Sequence, residues 1–304
     1  MLNYRSLLTA SISVWIIVVV HCGNENQDTT KETTPSCIYE KETPSQSASL
    51  GMSTTEKSYR YANIRDEIFE CHRVNRSLNT DHHKILQETD LNKVPYLALE
   101  GIPHLNSSLK GNRDFFIKAI ASTAGKVNEI IMKQRQLVLS MREKQRKHIN
   151  PTKHERDRFD KICRFYQTKD FSELLLKVAP VPVSLAVAQA VLESQFGSDR
   201  IIYLSNAYFG LAKTKTSLFK FDNLFNSVIA YTKTINVNRR YHEFRRQRAL
   251  TLQKNQKING IKLASCIGNY GTDKNYQKLV LKLMRLHNLH VLDKKIDMPA
   301  FKNQ

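Results

Sequence analysis

Val181-Pro182-Val183-Ser184-Leu185-Ala186-Val187-Ala188-Gln189-Ala190-Val191-Leu192-Glu193-Ser194-Gln195-Phe196-Gly197 decides the reading of this chain. Ser184 and the residues after Pro182 suit a helix start, and Gly197 suits a helix stop. Between them nearly every side chain is apolar on every face, and a helix apolar all round is a buried one. The run is shorter than the ~20 residues that span a bilayer. It reads as the central helix of a soluble core, and it carries one ionisable residue, Glu193, near its C-terminal end.

A carboxyl group in apolar surroundings loses hydration and its pKa rises. The negative end of the helix dipole pushes the same way. An acid that stays protonated near neutral pH can protonate a glycosidic oxygen. The other reading of the helix alone is that Glu193 lies in solvent and pairs with Arg200 or Lys213.

Further motifs follow in order. They are Asn206-Ala207-Tyr208-Phe209-Gly210-Leu211-Ala212-Lys213, then Phe219-Lys220-Phe221-Asp222, Ser227-Val228 and Tyr231, then Tyr270-Gly271-Thr272-Asp273-Lys274-Asn275-Tyr276. Around an acid-bearing helix this set resembles the glucosaminidase domain of glycoside hydrolase family 73. Tyr231 to Asn236, followed by Tyr241, Phe244, Arg245, Arg246 and Arg248, resembles its Bax-type branch of bacterial envelope proteins. The likeness is closest over about residues 150–286 and reaches back loosely to about 94. Two departures stand out. Gln195 and Phe196 occupy positions where relatives commonly show glycine and tryptophan, and Leu192 stands where Bax-type relatives often carry asparagine.

The resemblance implies a mainly α fold: a lysozyme-like helical lobe, a small β-hairpin lobe and a long N-terminal helical arm before them. It implies Glu193 and Tyr270 as catalytic residues, with Tyr270 facing the glutamate. The other reading of Tyr270 is a hydroxyl bonded to backbone at a helix junction. Substrate binding is implied for Asn206, Tyr208, Phe209, Gly210, Tyr231 and Tyr276. Of the two adjacent aromatics, Phe209 is assigned rather to the core and Tyr208 to sugar contact. Family members often draw a second carboxylate from the β-lobe, but residues 211–221 contain no Asp or Glu. Asp222 is the nearby candidate, or else a cap for the helix starting near Leu224. The substrate's own N-acetyl group is the alternative nucleophile.

Around this domain the chain divides as follows. Residues 1–22 read as a signal peptide, a lipoprotein signal or an uncleaved anchor, with Arg5 before a short apolar run and Cys22 as the candidate lipidated residue, although His21 stands where such sites prefer a small side chain. Residues 23–60 are rich in Thr, Ser, Glu, Gln and Lys and read as a disordered tether. Residues 61–149 form an N-terminal helical region, 150–290 the glucosaminidase domain and 291–304 a C-terminal tail. Cys71-His72 and His82-His83 fit no compact zinc spacing, so no metal is expected. No cofactor is expected either, because acid catalysis on an acetal needs none. Cys163 and Cys266 fall on apolar faces and read as buried thiols.

Within the helical region, residues 111–147 carry apolar side chains at helical spacing, from Phe115 to Met141. The later turns carry Lys133, Arg135, Arg142, Lys144, Arg146 and Lys147, either a solvated face or an arm resting on an anionic wall or membrane. Arg245-Arg246-Arg248 reads likewise as a solvated face or a contact for the carboxylates of peptide stems. Asn150-Pro151-Thr152 breaks the long helix. Helices are expected over residues 154–169, 171–178, 224–234, 240–252, 262–269 and 276–287, the last capped by Asp273, and a hairpin is expected around residues 213–216.

The formal net charge of +19 implies attraction to polyanions without naming one. Three functions compete. The first is an exported envelope hydrolase cutting the β-1,4 bond after N-acetylglucosamine in peptidoglycan, held at the membrane by its N-terminus. The second is a non-catalytic wall-binding or scaffold protein that keeps the fold. The third, a nucleic-acid binder, is opposed by the export signal and by the lack of any zinc-finger, RRM or KH signature.

Overall fold

The computed structural model describes residues 84–85, 87–104, 106–214, 217–254, 256–268, 270–271 and 273–293, together with Val18–Val19. The regions holding Cys22, Cys37, Cys71, His72, His82 and His83 lie outside the described residues, as do the expected tether and most of the export signal. Among the described residues no helix is long and apolar enough to cross a membrane.

The chain forms α1 (Lys110–Arg146), α2 (Lys153–Tyr166), α3 (Phe171–Lys177), α4 (Val183–Ser194) and α5 (Arg200–Ser205). A small hairpin follows, made of β2 (Leu211–Thr214) and β3 (Ser217–Leu218), paired antiparallel with Ala212 opposite Leu218. Val18–Val19, β1, pairs parallel with Leu211–Ala212 on the other edge of β2. The rest is α6 (Leu224–Val237), α7 (His242–Gln253), α8 (Gly260–Leu263) and α9 (Tyr276–Leu286). The expected mainly α architecture with a small hairpin is the one observed.

Helix α4 is the hub, as its all-round apolarity requires. It packs chiefly between α1 and α9, while α6 lies on α1. Leu185, Val187, Ala188 and Ala190 are wholly buried. Each fully buried Leu or Val stabilises the fold by about 1.5–3 kcal/mol.

The long N-terminal helix expected is α1, and it packs into the domain. Phe116, Ile120, Val127 and Val138 on α1 are buried in the same core as α4. The apolar side chains at helical spacing from Phe115 to Met141 make a stripe too wide to leave in water, so α1 becomes a wall of the domain. Buried residues on both sides of residue 150 belong to one hydrophobic cluster. It also runs past 290: Leu292 is 2% exposed, and Asp293 lies beneath α4. The Asp293 carboxylate accepts from the Ser184 backbone N–H at 3.0 Å, from the Ser184 hydroxyl at 2.7 Å and from the Gly260 N–H at 2.8 Å. It therefore caps α4, whose own N-cap residue is a proline with no side chain to offer.

The approach to α4, residues 176–182, has carbonyls with no helical partner, and buried cations and amides supply the donors. Arg248 is wholly buried and donates to the carbonyls of Leu176, Ala179 and Pro180 at 2.8, 3.1 and 3.0 Å. Arg135 donates to the carbonyls of Leu175 and Val178, and Asn128 bonds both the N–H and the carbonyl of Val181. Arg245 donates to the carbonyls of Ile235 and Asn238. So Arg135, Arg245 and Arg248 are internal braces, and of the arginine trio only Arg246 stays outside, on Glu243.

Local stops follow the sequence. Thr152 and Glu155 make a reciprocal capping box that starts α2, and Gln167, left-handed at φ 56°, ends it. The cap of α6 is Asn223, whose side chain accepts from the Asn226 N–H at 2.8 Å, so Asp222 does not cap that helix. Asp273 accepts from the Asn275 N–H ahead of α9 rather than capping it. The helix expected over 262–269 starts earlier, at Gly260, and ends in a short 3-10 turn at Cys266. Cys163 is buried and Cys266 half-buried, both as free thiols.

Candidate active site

Glu193 stands one residue before the end of α4, and the chain then turns through three consecutive left-handed residues, Gln195, Phe196 and Gly197. The Ser194 hydroxyl accepts from the Gly197 N–H at 3.1 Å and donates to the Ala190 carbonyl, which pins this reversal. Phe196 drops into the core edge-on to Phe116 and His287. The turn leaves Glu193 half-buried at the end of an apolar helix.

Among the described residues its carboxyl group meets one donor. The Tyr276 hydroxyl donates to Oε1 at 2.9 Å. No lysine, arginine or histidine among the described residues pairs with it, so the expected alternatives of Arg200 and Lys213 are not its partners. Burial pushes the Glu193 pKa up to about 8, opposed by the hydrogen bond from Tyr276. Burial wins because one neutral donor replaces only part of the hydration that a carboxylate loses.

The other oxygen, Oε2, lies against Gly210. A methyl group built on Gly210 would run into Oε2 and come within 3.2 Å of Cδ. Gly210 also has a φ of 61°, so both its backbone and its neighbour call for glycine. The loop that carries it is held from both ends. Asn206 donates to the Phe221 carbonyl at 3.0 Å, and the Tyr270 hydroxyl donates to the Phe209 carbonyl at 2.8 Å.

Around the acid lies a buried aromatic cluster. Tyr231 stacks on Phe209 with centroids 4.2 Å apart, and Tyr270 stacks on Tyr276 at 5.7 Å. Tyr208, Phe209, Tyr231, Tyr270 and Tyr276 are each at most 1% exposed. This alters several expectations. Tyr208 packs against Phe116 instead of presenting a face for a sugar. Tyr270 is bonded to backbone, and the tyrosine on the glutamate is Tyr276. Tyr231, Phe209 and Gly210 support the site from beneath, and Asn206 is the half-buried member of the expected binding set. Asp222 is exposed just before α6.

Gln189 was given no role by the sequence, yet it joins this cluster. It accepts from the Tyr231 hydroxyl at 2.8 Å and donates to the Tyr276 oxygen at 3.1 Å. The signal was present: an amide four residues before Glu193 on an otherwise apolar helix shares its face and needs buried partners.

Residues 169–289 match the family model Glucosaminidase, described as mannosyl-glycoprotein endo-beta-N-acetylglucosaminidase. Neither the curated proteins nor the solved structures contain a match to this chain. The matched span holds α4, the hairpin and α9, and therefore Glu193, Gly210, Tyr270 and Tyr276. Helix α1, which completes the core around α4, lies outside it.

Proposed function

We propose, from the glucosaminidase-family domain at residues 169–289, that this chain cleaves the β-1,4 bond after N-acetylglucosamine in peptidoglycan, with Glu193 as general acid. The domain assignment supports a glycan-cleaving hydrolase in general. What supports the finer reading is Glu193 itself: a carboxyl group on a buried helix, without a cationic partner among the described residues, its pKa pushed up to about 8 by burial. Such a group can protonate the leaving glycosidic oxygen while charge develops at the sugar ring.

The second group is the substrate's N-acetyl oxygen, acting as internal nucleophile. The hairpin residues 211–221 contain no carboxylate, and Asp222, the nearest in sequence, stands exposed. Attachment to peptidoglycan is favoured by the net charge of +19, since wall polymers carry anionic groups. Export to the cell envelope, with anchoring at Cys22, belongs to the same proposal and is checked by mass spectrometry of the mature N-terminus.

The test is digestion of purified peptidoglycan followed by identification of the new reducing end. N-acetylglucosamine at that end supports the proposal. N-acetylmuramic acid or an anhydro sugar there overturns it. Binding without any release of fragments, by wild type and Glu193→Gln alike, would leave a wall-binding scaffold.

A further inference from the structure

Gln189 is a wholly buried amide on α4, whose other buried polar side chains are the small hydroxyls of Ser184 and Ser194. Its orientation is fixed by its neighbours. Among the described residues, the one acceptor that the buried Tyr231 hydroxyl meets is Gln189 Oε1 at 2.8 Å. Turning the amide over would leave a buried phenolic proton with no acceptor, which costs about 1–3 kcal/mol. Nε2 therefore faces Tyr276 and donates to its oxygen at 3.1 Å. With that lone pair occupied by an N–H, the proton of Tyr276 points the other way, to Glu193 Oε1 at 2.9 Å. The three bonds run in one direction, from Tyr231 through Gln189 and Tyr276 to Glu193.

We propose that Gln189, oriented by Tyr231, is a positioning residue that keeps the Tyr276 proton on Oε1, so that Glu193 carries its own proton on Oε2 beside Gly210 and releases it from there. The inference rests on the reading of Glu193 as general acid. In the step, the Oε2–H bond breaks as the glycosidic oxygen takes the proton, and the bond from that oxygen to the anomeric carbon breaks as the substrate's N-acetyl oxygen bonds to that carbon. Water then displaces the N-acetyl oxygen, leaving hydroxyl on the anomeric carbon and returning a proton to Oε2. Throughout, Oε1 keeps accepting from Tyr276. Without Gln189, the Tyr276 oxygen is free to accept the acid's proton, and the neutral acid is held in a bond that leads away from the substrate. The titratable groups facing Glu193 are Tyr276 on α9, Tyr270 before it, and Tyr241 ahead of α7, all pushed above the ordinary tyrosine value chiefly by burial. They stay neutral where Glu193 titrates, so the direction of the hydrogen bonds is left to set its behaviour.

The experiment is a carbon-13 NMR titration of the full chain labelled at glutamate carboxyl carbons, with the Glu193 signal identified by its loss in Glu193→Gln. In Gln189→Leu the Glu193 midpoint moves to higher pH, and kcat on peptidoglycan falls roughly tenfold or more with KM unchanged. Tyr231→Phe, which removes a single oxygen, moves the midpoint the same way by less, and it carries the test if Gln189→Leu does not fold. A midpoint that is unchanged or lower in the folded variants overturns the inference. Inactive Glu193→Gln alongside a Gln189→Leu that titrates as wild type defeats the positioning role alone. An active Glu193→Gln defeats the general-acid reading instead.

Discussion

The Tyr276 hydroxyl donates to Oε1 of Glu193 at 2.9 Å while the opposite oxygen of that carboxylate lies against Gly210. The acid is thus held between one donor and one glycine, with burial opposing its ionisation. Its pKa of about 8 makes it a burden on the fold whenever it is charged.

Glu193→Gln should therefore be more stable than wild type, in a pH-dependent way. The folded pKa is raised above an unfolded value near 4.3, so the native state binds more protons between about pH 4.3 and 8, and wild-type stability falls as pH rises through that window. The variant lacks this loss. Unfolding free energies from urea titration should coincide near pH 4 and separate by on the order of a few kcal/mol at pH 8.5. Values that stay together at pH 8.5 would place the carboxyl in water.

Gly210→Ala should reduce both stability and turnover. The alanine must adopt a φ of 61°, at about 1–2 kcal/mol, and its methyl group displaces the Glu193 carboxyl. A shift of about 1 Å in a catalytic group lowers rate by about a hundredfold. Thermal melts and peptidoglycan digestion measure the two effects, and near-wild-type activity would show that Oε2 has room to spare.

Arg248→Met should destabilise the fold by roughly 3 kcal/mol or more, because it takes the guanidinium donors from the carbonyls of Leu176 and Pro180 and from Asn236 Oδ1, and leaves the Ala179 carbonyl with Asn236 Nδ2 alone. Methionine fills similar space, so the loss reports hydrogen bonds more than packing. A chemical denaturation midpoint within about 0.5 kcal/mol of wild type would contradict the brace, since that is the range of ordinary surface substitutions.

These three variants probe different parts of what the sequence disclosed. The hub helix was legible because its apolarity has no face left for water, and the breakers at Asn150-Pro151 and Pro180-Val181-Pro182 bounded its neighbours. Glu193 was legible as the ionisable residue on that helix. The inward turn of Arg135, Arg245 and Arg248 was not, because arginine is ordinarily a surface residue and nothing local shows that the carbonyls of residues 175–180, or of Ile235 and Asn238, lack donors. Asp293 was placed in a tail for a similar reason: a distant cap leaves no spacing to read. The exchange between Tyr270 and Tyr276 could not be settled either, since both end up stacked near the acid and only the fold decides which hydroxyl reaches it.

Gln195→Gly should stabilise the protein. Gln195 holds a φ of 49° at the end of α4, a left-handed conformation that glycine adopts without a Cβ penalty. Removing its Cβ relieves about 1 kcal/mol, which raises Tm by about 2–4 °C in a folded unit of this size. Differential scanning calorimetry measures it, and a lower Tm would mean that the glutamine makes contacts worth more than the relief.

The central claim is that one proton on Glu193 does the chemistry, and the rate of fragment release from purified peptidoglycan tests it most directly. Wild type and Asp222→Asn should both release fragments, with Asp222→Asn keeping most of the rate, while Glu193→Gln, folded and at least as stable, should release none above background. Release by Glu193→Gln at a rate near wild type, or equal loss in both variants, would contradict the account.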